Sequence, residues 1–425
     1  MESTSLNTNQ LFKHKALTWA NTFNVCAVFD SNGYPDTYHQ YDMLIAVGVQ
    51  TELIASCGQA FEQLKKFYDA NLNWMFGILS YDLKNELEDL QSKKPDLLGF
   101  PDLYFFVPQY LISVKGTTIE VLLGNPNVLQ QIENIKIETL PTAAINMQSS
   151  SSKSDYIKKV KELQQHINRG DCYEITFCQD FFAKNAKIDP LAVFKTLNQI
   201  SSSPFAGFFK INDQYILSAS PERFLCKRAN QLISQPIKGT SKRSSDPQKD
   251  QQLRLSLKEN QKEQAENVMI VDLVRNDLTK SAVPATVKVT ELFGIYTFPQ
   301  VHQMISTITC ELNPKIHFVD AIKNTFPMGS MTGAPKVKAM ALIEEKENSK
   351  RGVFSGAIGY INPQGDFDFN VIIRTLLYQA TEQYLSFKVG SAITFQSVAE
   401  SEYEECMIKA EGMLNTLKGL NNQPF

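Results

Sequence analysis

Val353–Thr394 reads VFSGAIGYINPQGDFDFNVIIRTLLYQATEQYLSFKVGSAIT. Three runs rich in apolar, aromatic and β-branched residues follow one another here: Val353–Ile361, Phe367–Tyr378 and Tyr384–Thr394. Such runs read as strands. Between the first two, Asn362-Pro363-Gln364-Gly365 supplies the residue types of a tight turn. Short strands following each other without regular βαβ spacing predict antiparallel sheets covered by helices, an α+β fold.

The same pattern extends upstream. Tyr173–Phe182, Pro204–Phe209, Tyr215–Ser218 and Arg223–Cys226 read as further short strands, and Val283–Phe293 is β-like. Helices punctuate them. Ser154 or Asp155 caps a helix whose apolar stripe is Ile157, Val160, Leu163 and Ile167, with Gly170 at its C′ position. Asp246-Pro247 opens a long polar helix reaching about Lys280. Ile316–Thr325 is helical, Pro335 begins another helix, and Ser401 begins the last. The polar run Ser149–Ser154 reads as a linker or exposed loop. Before it, strand-like Ala27–Phe29 and Leu103–Val107 alternate with helical Gln59–Tyr68. The chain therefore divides into a mixed region 1–150 without a chemical motif and a motif-bearing region 151–425. These are two domains or one large composite.

At 425 residues with 43% apolar content, the chain can bury a sizeable core. Its net charge of −3 lacks the basic excess of a nucleic-acid partner. The seven cysteines are odd in number and form no CxxC pair, which predicts free thiols in a reducing compartment. The first residues, Met1 to Leu6, are polar and contain no apolar signal core. No run reaches the ~18–20 apolar residues that span a bilayer. A cytoplasmic protein without membrane contact is expected.

Several residue groups carry possible chemistry. Glu263 and Glu266 lie three apart on one predicted helix, and Glu402 and Glu405 lie three apart on another, so each doublet faces one way. Facing doublets would offer hard oxygen ligands to Mg²⁺. The bland alternative is solvated surface glutamates neutralised by Lys262 and Lys409. Met331-Thr332-Gly333-Ala334-Pro335-Lys336 pairs close-approach glycines with a proline-started helix. That is either an anion site or an ordinary helix start. Lys238, in Gln-Pro-Ile-Lys-Gly-Thr, is a desolvated nucleophile with a lowered pKa or a surface turn lysine. Glu222, in Ser-Pro-Glu-Arg-Phe, is a general acid/base, a partner of Arg223 or a surface residue. His302 stands alone in Val-His-Gln-Met. No HxH or HExxH spacing suggests zinc, and no P-loop, Rossmann or GxSxG motif is present.

Taken in order, these segments resemble the chorismate-binding family from Tyr156 to Leu417. The resemblance is carried by Gly-Asp-Cys-Tyr-Glu (170–174), Ser-Ala-Ser-Pro-Glu-Arg-Phe (218–224), Pro-Ile-Lys-Gly-Thr (236–240) and the run Ala-Glu-Asn-Val-Met-Ile-Val-Asp-Leu-Val-Arg-Asn-Asp-Leu (265–278). Met-Thr-Gly-Ala-Pro-Lys (331–336), Ser-Gly-Ala-Ile-Gly-Tyr (355–360), Ile-Arg-Thr-Leu (373–376), Val-Gly-Ser-Ala-Ile-Thr (389–394) and Glu-Tyr-Glu-Glu (402–405) extend it.

The resemblance implies two antiparallel sheets packed as a sandwich and covered by helices, with a central cleft. It implies Mg²⁺ held directly by Glu266 and Glu405, with Glu263 and Glu402 behind them. Backbone N–H groups near Gly390, Ser391 and Ala392 would meet the ring carboxylate of chorismate. Arg374 and Lys409 would meet its enolpyruvyl carboxylate, and His302, Thr332 and Gly333 would face the ring and leaving group. Water-adding members carry a lysine where this chain has Glu174, so isochorismate and salicylate synthesis are not expected. Anthranilate synthases usually have alanine where this chain has Lys238, and members that form aminodeoxychorismate have lysine. The implied reaction is amination of chorismate to 4-amino-4-deoxychorismate, with Lys238 as nucleophile and Glu222 as acid, then base. Two departures stand out: Phe354 replaces a carboxylate-binding tyrosine, and Glu174 replaces a common glutamine. No glutaminase motif occurs in the chain. Ammonia from a separate glutamine amidotransferase subunit is therefore implied. The rival readings are anthranilate synthase component I and a non-catalytic chorismate-binding subunit.

Overall fold

The computed structural model describes residues 8–137, 144–298 and 301–418; the polar stretch 1–6 lies outside them. Every strand pairing described is antiparallel. The main ladder runs in space from Glu174–Ala183 through Tyr384–Thr394, Thr375–Gln379, Gln214–Ser220 and Phe205–Ile211 to Val25–Asp30. It continues through Met43–Ala55, Leu103–Lys115, Met75–Leu79, Ala357–Ile361 and Phe367–Val371. Arg223–Arg228, Gln231–Gln235 and Val301–Glu311 complete it.

The two expected sheets are thus two halves of one ladder. Met43–Ala55 and Leu103–Lys115 are long enough, at 13 residues each, to belong to both halves. Their mutual register shifts between Val49 and Thr51, beside Gly48 at φ 68°. An extra residue there bends the pair, and a glycine accepts the positive φ without strain. The bend folds the halves face to face. Phe29 of one half stacks on Phe76 of the other with ring centres 6.0 Å apart, and Phe209 meets Phe106 edge-on at 6.0 Å.

Strands from 1–150 form a block in the middle of this ladder, with strands from 151–425 on both sides of it. Val25–Asp30 pairs with Phe205–Ile211, and Met75–Leu79 pairs with Ala357–Ile361. One apolar core lies between the halves and continues under the helices Ala60–Asn71, Gln261–Thr279 and Phe318–Thr325. The other lies beneath Lys153–Asn168, Pro190–Ile200 and Ala399–Lys418. All seven cysteines are free. No described helix is long and apolar enough to cross a membrane.

Three local expectations need correction. Of the serine run only Ser150–Ser152 is a loop, and it is no linker: Gln148–Ser149 pairs with Phe181–Phe182, and Ser152, not Ser154 or Asp155, caps the next helix by accepting the Asp155 N–H. The long polar helix is two helices, Pro247–Glu259 and Gln261–Thr279. Asn260 ends the first and caps the second, its side chain accepting the Glu263 N–H at 3.2 Å. The run Phe367–Tyr378 is two strands, divided at Arg374, whose φ is 51°. This division shapes the site. On this side Leu377–Gln379 reaches only Tyr384–Ser386 of the next strand. Beyond Ser386, the strand continuing to Thr394 pairs, among the described residues, with Glu174–Ala183 alone, which leaves its other edge without a strand partner there.

Candidate active site

The open edge borders a cavity of about 200 Å³. Lys388–Ala392 form one wall. Glu263 and Glu266 enter from one helix, and Glu405 and Lys409 from the last one. Ile237–Thr240, Glu222, Ser330, Met331, Phe354 and Arg374 enclose the rest.

Lys238 reaches this cavity through a strand irregularity. Ile237–Lys242 pairs with Val301–Glu311, but the register shifts between Ile237 and Thr240. Gly239 sits there at φ 99°, and a Cβ on it would stand 3.1 Å from the Glu263 carboxylate. The Lys238 side chain is buried and donates to Glu174 Oε1 at 2.5 Å. Its environment reverses one expectation. Burial alone would lower its pKa, but the carboxylates of Glu174, Glu266 and Glu222 outweigh burial and hold it above the ordinary lysine range. Lys238 is therefore an ammonium here, not a ready amine.

Glu222 is also buried. Burial pushes its pKa up to about 7, and Ser330, Lys238 and the Ile237 N–H oppose only part of that rise. It does not pair with Arg223, which points to the other side and binds Asp368 at 2.9 Å, Asp36 at 2.5 Å and Gln235. A carboxyl group that changes state near neutrality suits both halves of acid–base work.

On the helices beside Lys238 the two doublets meet. Lys262 Nζ lies 3.6 Å from Glu266 Oε1 and 3.5 Å from Glu402 Oε1. Lys409 Nζ lies 2.6 Å from Glu405 Oε1 and 2.9 Å from the Gly390 carbonyl. Burial raises Glu263 and brings Glu266 to about 7. Burial would raise Glu405 as well, but Lys409 holds it below the usual carboxylate range. The two lysines thus neutralise part of the acidic cluster, as the bland reading expects. They do not complete it: Glu266 Oε1 and Glu402 Oε2 are buried with no hydrogen-bond donor among the described residues. Among the described residues, no three His, Cys, Asp or Glu side chains converge as a ligand cluster. Glu402 stands behind the cavity wall rather than in it. Unsatisfied hard oxygens in ones and twos fit Mg²⁺, which takes few protein carboxylates and keeps water and substrate ligands.

Arg374 borders the same space. Its Nη1 donates to the Lys409 carbonyl at 3.3 Å, and among the described residues no carboxylate forms an ion pair with it. Burial lowers its pKa to about 10 against the pull of Glu405. Gly390 must be glycine, because a Cβ would fall 2.4 Å from Cys178 Sγ. The Ser391 hydroxyl is engaged by Tyr156 at 3.0 Å. The main chain of Gly390, Ser391 and Ala392 is therefore what this strand offers a ligand.

Three expected residues are not brought to the cavity. His302 is buried on the opposite face of its strand, with Nδ1 at 3.0 Å from Thr297 and Nε2 at 3.0 Å from Asp250. Its neighbours Val301 and Gln303 point inward instead, as strand alternation requires. Thr332 is spent on local backbone, its hydroxyl bonding the Gly329 carbonyl at 3.1 Å. Gly333 pairs with Ile175. Ser330 and Met331 of the same segment line the cavity in their place. Glu174 was noted only as a departure, yet it is the direct partner of Lys238. Gln303, with a buried and unpartnered Oε1, was missed although it adjoins the singled-out histidine.

A family model described as chorismate binding enzyme matches residues 24–415. Aminodeoxychorismate synthase component 1 of Salmonella typhimurium is 41% identical over 348 residues, covering 80% of this chain and 76% of the relative. The Klebsiella aerogenes protein of the same name is 34% identical over 353 residues, covering 82% and 78%. The crystal structure of anthranilate synthase component I from Streptococcus pneumoniae superposes with a TM-score of 0.79 at 24% identity, covering 90% of this chain and 94% of that one. This last likeness establishes the anthranilate synthase component I-like fold.

Proposed function

The chain belongs to the chorismate-binding enzyme family, and from that premise we propose that it aminates chorismate to 4-amino-4-deoxychorismate, on the route to 4-aminobenzoate. The observation that carries this reading is the pair Lys238 and Glu222 in one cavity, with Glu222 brought to about 7. Relatives named aminodeoxychorismate synthase component 1 support it.

In the reading we favour, Arg374 and Lys409 bind the enolpyruvyl carboxylate, and backbone N–H groups of Gly390–Ala392 bind the ring carboxylate. Glu266 and Glu405, backed by Glu263 and Glu402, would hold Mg²⁺, which when bound supplies a further anchor for the ring carboxylate and draws charge from the diene. The Lys238 amine attacks ring carbon 2 as the carbon 4 hydroxyl departs with the proton of Glu222. Ammonia then attacks carbon 4, the bond to Lys238 breaks, and Glu222 takes the excess proton back. The component name of the relatives supports a partner component, which we read as a separate glutamine amidotransferase subunit that supplies ammonia in the cytoplasm.

Incubating the protein with chorismate, Mg²⁺ and ammonium tests the proposal. We expect 4-amino-4-deoxychorismate and no pyruvate. Anthranilate fluorescence with stoichiometric pyruvate would decide for the anthranilate synthase reading. Without ammonia, the peptide carrying Lys238 should gain the mass of chorismate less water.

A further inference from the structure

The lysine step leaves a problem. Lys238 is an ammonium in its buried setting, and an ammonium cannot attack carbon. Glu222 cannot take the proton, because the same step needs Glu222 protonated. The group in contact with Lys238 Nζ is Glu174 Oε1, at 2.5 Å and buried.

Glu174 is held there firmly. It opens the strand Glu174–Ala183, lying opposite Thr394 on one side and Ala334 on the other. Gly333 packs so closely that a Cβ on it would stand 2.1 Å from the Glu174 carbonyl oxygen. No larger residue fits, so this glycine fixes the backbone from which the Glu174 carboxylate reaches Lys238. The expected ring-facing role of Gly333 is replaced by this one.

We infer that Glu174 is the proton acceptor for Lys238, taking the ammonium proton before attack and returning it when the lysine departs. The inference rests on the amination reading above. The protons balance. Glu174 carboxylate takes one proton, leaving neutral Lys238, which bonds to carbon 2 and becomes a secondary ammonium. The carbon 4 hydroxyl leaves as water with the Glu222 proton. Ammonia bonds to carbon 4, and the carbon 2–nitrogen bond breaks with its electron pair returning to Lys238. The new ammonium at carbon 4 gives one proton to Glu222. Glu174 gives its proton back to Lys238. Chorismate and ammonia become 4-amino-4-deoxychorismate and water, and all three side chains recover their starting states.

The test is adduct formation on Lys238, followed by mass in the full-length protein with chorismate and Mg²⁺ but no ammonia. Besides Glu174, the charged groups facing Lys238 are Glu266, Glu222, Glu263 and Glu405, and all are unchanged in Glu174→Gln. In the wild type, internal transfer supplies the amine, so the rate should be flat with pH in the unit or so below 7. In Glu174→Gln the amine must come from solution deprotonation. Its rate should fall by about a hundredfold at pH 6 and climb about tenfold per pH unit toward 7. Glu174→Asp should recover part of the wild-type rate and its flat profile. Chorismate binding by equilibrium dialysis should be unchanged in both. A Glu174→Gln rate equal to wild type at pH 6 would overturn the inference. So would a loss by one constant factor at every pH, which is what a merely structural role gives. Failure of the underlying reading shows separately: wild-type protein that forms product yet never carries chorismate on Lys238 has no lysine step, and Glu174 then has no such role.

Discussion

The two ends of the cavity are built differently. At one end, Lys238, Glu174 and Glu222 stand on or beside strands, and the lysine and Glu174 satisfy each other at 2.5 Å. At the other, the carboxylates stand on two helices, and Lys262 approaches them only to 3.5–3.6 Å. Glu266 Oε1 and Glu402 Oε2 have no donor among the described residues. A buried acceptor left unsatisfied costs about 1–3 kcal/mol, a cost that a bound cation would offset in the proposed reading. In the proposed reading, the strand end, where Lys238 and Glu174 pair with each other, makes and breaks the bonds. In the proposed reading, a cation would complete the helix end, and that end would hold the substrate.

If that contrast is right, substitutions at the two ends fail in different ways. Lys238→Ala should give the largest loss, about a thousandfold or more in amination, with chorismate and Mg²⁺ binding retained; binding by dialysis beside turnover separates the two. Near-wild-type turnover would remove the lysine from the reaction. Glu222→Gln should cost about a hundredfold and should also change the pH profile. Burial keeps the Glu222 proton on up to about pH 7, so its acid form is lost as pH rises through that value. Wild-type adduct formation should therefore decline above pH 7, and the variant should lack that limb. At the helix end, Glu405→Gln should weaken Mg²⁺ by roughly a hundredfold, read by calorimetry, with turnover recovering at high Mg²⁺. A lysine-end variant rescued by Mg²⁺ would dissolve the contrast. Arg374→Met should raise KM for chorismate about tenfold while kcat changes less, since the lost contact is one charge-assisted hydrogen bond of about 1.5–3 kcal/mol.

Much of this was legible in the sequence, and the rest was hidden for definite reasons. The antiparallel α+β fold followed from consecutive short strands without crossover helices. The break at Asn260 was not legible, because an asparagine in a polar helical run reads as surface until its side chain is seen capping Glu263. The positive φ of Arg374 was equally hidden, and it opens the strand edge on which the cavity depends. Lys238 could be named from its motif, but its charge state could not. That is set by carboxylates from positions 174, 222 and 266, brought together only by the fold. Arg223 and Arg374 make the same point. Both are arginines in the motif-bearing segments, but Arg223 is fully paired with Asp36 and Asp368 while Arg374 has no counter-ion among the described residues.

The smallest effect on activity is expected at His302. By motif it faces the substrate; in the structure its two ring nitrogens are used by Thr297 and Asp250, and the residues flanking it in sequence line the cavity instead. A strand cannot present residues 301, 302 and 303 to the same side, so the inward position of Val301 and Gln303 itself turns His302 away. His302→Gln should leave kcat/KM for chorismate close to wild type. It should cost stability, about 1–3 kcal/mol, because two buried hydrogen bonds are lost or misaligned, and thermal unfolding reads that cost directly. Gln303→Leu should do the reverse, weakening turnover while unfolding near the wild-type temperature, since its buried Oε1 has no partner to lose. A large drop in kcat for the histidine variant with unchanged stability would mean that this strand turns over when chorismate binds.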